Sequence, residues 1–241
     1  MSSSSYDGTI DWNEVYRQFY EIPAMTDRIN AYLSDNSRVL YAGFGEIAER
    51  LSLNHDVRFV EYSPAMANAA QREFANLSKI TCSNVLDEIA SSEEAVILVV
   101  CRISAYWHNA ENIKSLISAI QASAKDILIV DFFDSERLHS TKTLGDVTFS
   151  EINHKAPLQN ESDPHKHVEG SINDIAVTTA IVSGRYKGIG IDHEFSETRA
   201  FYNATDMLAY VRSELKNYSV SIDEPIVDND PGFTLCARRV R

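Results

Sequence analysis

Cysteine is scarce. The 241 residues hold three, Cys82, Cys101 and Cys236, and no two stand in a CxxC pair. That spacing supports neither a zinc site nor a disulfide framework, so a reducing, cytoplasmic compartment is expected. Basic residues are also few: 22 lysines and arginines face 35 acids, for a formal charge of −13. The averaged field repels phosphate backbones and anionic headgroups, so neither nucleic acid nor membrane is expected as a partner. Long apolar runs are missing as well. The longest aliphatic stretch, residues 95–101, falls far short of the roughly 20 apolar residues of a spanning helix. Residues 1–11 are polar and acidic, without the basic segment and apolar run of a secretory signal. There is no internal repeat, and the one low-complexity segment is the serine run at 2–5. That run is expected to be disordered, because it brings no apolar surface to offset ordering entropy.

What is present suffices for one full α/β core, with 44% hydrophobic residues. From 11 to 33, Val15, Phe19, Ile22, Met25, Ile29 and Leu33 follow a helical period, which predicts two helices parted near Pro23. Residues 38–42 read as a buried strand, 43–45 as a tight turn and 46–51 as the start of a helix. A second strand follows at 57–61, then Ser63 as N-cap, Pro64 at the first helical position and a helix to about 76. Strands at 79–82, 95–101 and 126–132 and a helix at 110–122 continue the alternation. Such a pattern implies right-handed crossovers and a mostly parallel sheet covered on both faces.

After 134 the texture changes. Residues 147–154, 175–183 and 189–202 carry strand patterns with no helix between them, predicting an antiparallel insertion; 156–173 reads as a long mobile loop. A helix at 204–215 capped by Asn203, then strands at 219–222 and 233–240, end the chain in a hairpin-like unit.

Gly43-Phe-Gly45 stands where a strand hands over to a helix. Glycine there lets the backbone approach a ligand, and the helix N-terminus offers free amides. Glu61 closes the next strand, where a carboxylate can accept both hydroxyl hydrogens of a ribose. Two strand ends thus converge on one nucleoside.

These segments resemble a known family. Val39-Leu-Tyr-Ala-Gly-Phe-Gly-Glu is similar to the first motif of class I S-adenosylmethionine-dependent methyltransferases. Val57-Arg-Phe-Val-Glu-Tyr-Ser-Pro-Ala-Met66 is similar to the second, its acid-x-Ser-Pro-x-Met run being the more specific part. The resemblance implies an α/β, Rossmann-like, seven-stranded, mostly parallel sheet with an antiparallel last strand and an antiparallel β insertion after strand 5. It also implies residues 1–34 as a helical cap, 35–140 with 203–241 as the cofactor-binding core, and 141–202 as a β-rich lid over the substrate site. S-adenosyl-L-methionine is the implied cofactor: Ala42, Gly43 and Gly45 face its methionine portion, Glu61 binds the ribose, Tyr62 and Met66 lie near the adenosine, Ser83, Asn84 and Val85 contact adenine, and Cys101 lies against it. Two positions depart from the family pattern. Tyr41 stands where an acid is usual and Ile47 where a third glycine is usual; Tyr16 and Tyr20 on the N-terminal helix are candidates to hold the amino-acid end instead. Gly43-Phe-Gly-Glu-Ile-Ala48 also fits the dinucleotide fingerprint GxGxxA, which keeps an NAD-dependent oxidoreductase or a non-enzymatic nucleotide-binding protein open as alternatives.

Ligands of open α/β sheets sit beyond the carboxyl ends of the strands. The segment 101–108 follows the fourth strand and is expected to line the reaction site. It places Arg102, Ser104 and Trp107 toward the substrate and Tyr106 and His108 toward the chemistry. This stretch, the helix and strand that follow it and the Glu194-Phe-Ser-Glu-Thr-Arg199 region are similar in layout to N-methyltransferases of amino sugars. Phe132 and Arg199 complete the substrate set. Methyl transfer needs positioning and exclusion of water more than a nucleophilic side chain. His108 is a candidate base for a proton the acceptor loses, and a solvated histidine beside the helix starting near 109 is its structural alternative. Tyr106 and Trp107 could wall an aromatic or cationic acceptor, or simply pack. His154, His165, His167 and His193 lack the paired acids of a metal-dependent enzyme, so no metal is expected. The expected activity is transfer of a methyl group to a small molecule, with nitrogen of an amino sugar or heterocycle preferred and a hydroxyl or carboxylate as the alternative; a homodimer is one option for assembly.

Overall fold

The computed structural model describes residues 10–100, 110–137, 143–144, 147–148, 177–227 and 232–240. Two short helices come first, α1 (Trp12–Phe19) and α2 (Ile22–Asn30), parted as expected ahead of Pro23, which sits in the first turn of α2. The strands and helices β1 (Arg38–Ala42), α3 (Gly45–Ser52), β2 (Asp56–Glu61), α4 (Pro64–Glu73) and β3 (Lys79–Cys82) then alternate. They are followed by α5 (Val85–Ser91), β4 (Val96–Val99), α6 (Ala110–Ser123) and β5 (Ile127–Asp134). Short pieces β6 (Thr143–Leu144) and β7 (Val147–Thr148) precede a long hairpin, β8 (Val177–Gly188) and β9 (Ile191–Tyr202). Helix α7 (Ala204–Glu214), β10 (Tyr218–Asp223) and β11 (Gly232–Arg239) end the described chain.

The main sheet runs β10-β11-β5-β4-β1-β2-β3. Pairs β1–β2, β1–β4, β2–β3 and β4–β5 are parallel, whereas β11 runs antiparallel to both β5 and β10. This is the expected seven-strand arrangement with one reversed strand at the end of the chain. The hairpin joins the same sheet, because β9 extends β5 in parallel through Phe133 opposite Phe201 and Asp134 opposite Tyr202.

Alternation along each strand divides the core into two layers. Val39, Tyr41, Val57, Phe59, Leu98 and Ile129 face α2 and α3, where Met25, Ile29, Ile47 and Leu51 meet them. Leu40, Ala42, Val60, Ile97, Val99, Leu128 and Val130 face α5, α6 and α7 through Ile89, Ile113, Leu116, Ile120, Met207 and Val211. Strands buried on both faces read as unbroken apolar runs, which is why β4 and β5 stand out in the sequence. Each such side chain contributes about 1.5–3 kcal/mol on leaving water.

The differences from expectation are local. Helix α5 was not foreseen, since only Val85 and Ile89 of its seven residues are buried and so little periodicity shows. Helix α4 stops at Glu73 rather than 76, because Phe74 turns extended and sends its ring into the core. The hairpin turns at 189–190, so the strand expected from 189 begins at Ile191, and Gly190 holds the positive φ (+71°) that the turn requires. Strand β7 covers two residues of the stretch 147–154; the remainder, and the loop expected at 156–173, lie outside the described residues.

Candidate functional site

The strand order reverses direction between β1 and β4, and a crevice opens at the carboxyl ends of such neighbours. Val100 N–H donates to Ala42 O at 3.1 Å there, and the 43–45 turn lies beside it. An added Cβ at Gly43 would stand 2.5 Å from the Tyr41 hydroxyl and 2.6 Å from Val100 O, so only glycine fits without displacement. At Gly45 it would meet the Phe74 ring at 2.6 Å, and the constraint there is the packing of α3 against the end of α4. Tyr41 is fully buried with its hydroxyl against the Gly43 turn, and Ile47 is a core residue.

Next to this turn lies a small pocket. Gly43, Gly45 and Phe59 form its floor, Glu61, Met66 and Ala70 one wall, and Asn13 and Tyr16 of α1 its cover. The turn Glu61-Tyr-Ser63 is set by the capping of α4: Ser63 Oγ accepts from Met66 N–H at 3.3 Å, and Ser63 N–H donates to Glu61 Oε1 at 2.8 Å. Burial pushes the Glu61 carboxyl above the ordinary range, and the backbone N–H groups of Ser63 and Tyr62 partly offset that. When ionised it can only accept hydrogen bonds, and its second oxygen is the one not used by Ser63.

Helix α1 is held over the pocket from both ends. Asp11 caps it by accepting from Glu14 N–H, and the Tyr16 ring stacks on Phe44 at 3.9 Å and 14°. Arg17 donates from Nε to Glu46 Oε2 at 2.7 Å and from Nη2 to Glu73 Oε1. Burial works against the charge of Arg17, but the hydrogen bonds to Glu73 and Glu46 outweigh it and raise its pKa. On the other side Gln18 and Ile189, at the hairpin tip, exchange two hydrogen bonds of 2.9 Å. Trp12 meets Tyr186 and His193 edge-on, at 6.1 and 5.5 Å.

The expected site residues divide into three groups. Tyr16, Gly43, Gly45, Glu61 and Met66 come together on the pocket, with Ala42 buried beneath the turn. Tyr20 packs beside Phe44 with its hydroxyl 3.4 Å from that of Tyr186 and is not a pocket wall. Tyr62 is 66% exposed next to the pocket. Ser83 N–H bonds Glu61 O at 3.1 Å, while Asn84 spends its side-chain oxygen capping α5 at Leu86 N–H. The Val85 side chain is buried in the second core layer, so main-chain atoms are what it can offer a ligand. Phe132 packs in the second core layer against Tyr202 and Phe233, at 5.5 and 5.6 Å between ring centres. Cys101, Arg102, Ser104, Tyr106, Trp107 and His108 lie outside the described residues, and Arg199 is placed only by its backbone, opposite Ala180 on the hairpin. Among the described residues no group of three His, Cys, Asp or Glu side chains could hold a metal ion, and no helix is long and apolar enough to cross a membrane.

Sequence reasoning missed Asn13 and the Arg17–Glu46–Glu73 cluster. Asn13 lies three residues before Tyr16 and hence on the same face of α1, which is the signal that marks it.

No protein-family model matches the sequence, and a search of curated proteins finds no match either. Solved structures do match over nearly the whole chain. An S-adenosylmethionine-dependent methyltransferase from Clostridium acetobutylicum ATCC 824 is 14% identical with a TM-score of 0.60, over 95% of this chain and 96% of its own. The sugar N-methyltransferase KedS8 from Streptoalloteichus sp ATCC 53650 is 17% identical with a TM-score of 0.55, over 97% and 94%. The 1,6-didemethyltoxoflavin-N1-methyltransferase of Burkholderia thailandensis, solved with that substrate and S-adenosylhomocysteine, is 13% identical with a TM-score of 0.51, over 99% and 85%. With the strand order 10-11-5-4-1-2-3 and one reversed strand, the chain carries the Rossmann-like fold of S-adenosylmethionine-dependent methyltransferases.

Proposed function

We propose that this protein moves a methyl group from S-adenosyl-L-methionine to a nitrogen of a small molecule, an amino sugar or a nitrogen heterocycle. The observation that carries the reading is the pairing of Glu61 with the Gly43 turn on one pocket, under a cover formed by Tyr16. The residues present fit the cofactor. Gly43 lines the pocket as bare backbone, which permits close approach, and the Glu61 carboxylate on the same pocket can accept from ribose hydroxyls. When bound, the cofactor supplies a methyl group on a positively charged sulfur. The chain's own residues bind, orient and exclude water: Glu61 grips the sugar, Met66 packs beside it, and α1 closes the pocket from solvent.

Electrostatics favour this donor over a dinucleotide. Glu46 stands in the first turn of α3 and is tied, like Glu73, to Arg17 of the helix whose Asn13 and Tyr16 line the pocket with Glu61. Such a set of carboxylates suits a cation and opposes a pyrophosphate at the same helix N-terminus. The nitrogen preference draws on two of the similar solved structures, a sugar N-methyltransferase and an N1-methyltransferase of a heterocycle, and on the net charge of −13, which attracts amines. Residues 101–108, the hairpin and Arg199 are proposed to form the acceptor side, with His108 taking the proton released by the nitrogen.

The test is incubation of the protein with S-adenosylmethionine and a panel of amines, heterocycles, alcohols and carboxylic acids, read by mass spectrometry. Mass gains of one methyl on nitrogen acceptors support the reading. Gains confined to alcohols or acids replace N- by O-methylation, and no gain on any acceptor, with cofactor bound, contradicts it.

A further inference from the structure

Asn13 belongs to no motif, yet it is 5% exposed and lines the pocket. Its Nδ2 donates to Glu73 Oε2 at 2.6 Å, while Glu73 Oε1 takes Arg17, which Glu46 holds from its other side. An ionised carboxylate only accepts, so Asn13 can meet Glu73 only with its NH₂ group. The amide is planar, and fixing the nitrogen on Glu73 turns Oδ1 away from it. Among the described residues Oδ1 takes no hydrogen bond, and it is not one of the sealed polar atoms of the interior. The Arg17–Glu73 pair therefore decides which half of this amide a ligand meets, and that half is an acceptor.

We infer that Asn13 Oδ1 is a cofactor-binding group, accepting an N–H from the ammonium at the methionine end, and that Glu73 is the positioning residue that sets its flip. This rests on the reading that the pocket holds S-adenosylmethionine. Glu61 is the acceptor for the ribose, which leaves the ammonium as the cofactor's remaining strong donor cluster. The surroundings match a cation: Glu14, Glu46 and Glu73 are linked to Arg17 and Arg50, three carboxylates against two guanidinium groups. An amide oxygen there accepts from an ammonium without adding a further charge that the pocket would have to desolvate.

The experiment titrates wild-type protein, Asn13→Ala, Glu73→Gln and the double variant with S-adenosylhomocysteine and with 5′-methylthioadenosine, which has the nucleoside but no amino-acid end. Asn13→Ala should bind S-adenosylhomocysteine roughly tenfold or more weaker, as for a hydrogen bond to a charged group. Its affinity for 5′-methylthioadenosine should stay unchanged. Glu73→Gln, whose amide can face Asn13 with either end, should lose part of the S-adenosylhomocysteine affinity alone and nothing further in the Asn13→Ala background. Equal loss for both ligands, or loss for neither, overturns the role of Asn13; additive losses in the double variant overturn the positioning role of Glu73. Asn13→Leu, close in volume and without polar atoms, gives the same contrast where the alanine variant fails to fold. Wild-type protein that binds neither ligand overturns the cofactor reading itself.

Discussion

Replacing Glu61 by glutamine separates what this residue does for the cofactor from what it costs the fold. The amide is isosteric, and its oxygen can still accept from Ser63 N–H at the place of Oε1. The NH₂ group then takes the place of the second oxygen, so a donor replaces an acceptor toward the ribose hydroxyls. Losing a hydrogen bond to a charged group costs about 1.5–3 kcal/mol, or roughly a tenfold to 150-fold rise in Kd. Ligand at 100 times the wild-type Kd adds about 2.7 kcal/mol of stability, about 5–11 °C in Tm for a chain of this size. A variant weakened a hundredfold keeps only about 0.4 kcal/mol of that, roughly 1 °C. The free protein moves the opposite way. Because burial raises the folded pKa of Glu61 above its unfolded value, the folded state holds the proton more tightly, and stability falls as pH rises through that window. Glutamine removes this penalty, so the ligand-free variant should melt higher than wild type at neutral pH, with the gap closing as pH drops below the ordinary glutamate range. Wild-type affinity should fall with acidification at a higher pH than an ordinary glutamate would give, and the variant should be flat. Thermal melts across pH 4–8 with and without S-adenosylhomocysteine read all of this. Unchanged ligand stabilisation in the variant refutes the ribose role, and a lower ligand-free Tm at pH 7 refutes the burial argument.

Gly43→Ala should destabilise by about 1–3 kcal/mol as for overpacking, seen as a lower Tm. Adding Tyr41→Phe should restore only part, because Val100 O remains 2.6 Å from the new methyl group; full recovery would count against this geometry. Gly45→Ala and Phe74→Leu should each destabilise, but together by less than the sum, since the smaller side chain vacates the space the new Cβ needs; strictly additive melts would show that the two do not touch. Asn203→Ala removes two capping bonds from α7, to Thr205 and Asp206 N–H, and should cost about 0.5–2 kcal/mol while leaving S-adenosylhomocysteine affinity unchanged. A change in affinity without a change in Tm would contradict that division of labour.

Much of the fold was legible in the sequence because its strands are buried on both faces. The run of aliphatics at β4 and β5, the Ser63-Pro64 cap and the Asn203 cap each announce one element with one mechanism. Helix α5 gave no such sign, with two buried residues and a cap whose side chain serves only Leu86. Of the candidate site, what the sequence marked and the structure brings onto one pocket are the Gly43 turn, where Val100 O and the Tyr41 hydroxyl exclude a side chain, and Glu61 at the end of β2. Phe132 and Phe133 are adjacent aromatics on one strand, and only the sheet decides that one packs against Tyr202 and Phe233 and the other against Phe201. Asn13 and Glu73 were invisible for a different reason: they meet across 60 positions, and nothing local in either helix foretells that contact.

The central proposal is that the pocket at the carboxyl ends of β1 and β2, beside the β1–β4 switch point, holds an adenosyl sulfonium donor. Calorimetric titration of the purified protein with S-adenosylmethionine and, separately, with NAD⁺ tests it most directly. The account predicts saturable one-site binding of S-adenosylmethionine and no heat from NAD⁺; binding of NAD⁺ alone would contradict it.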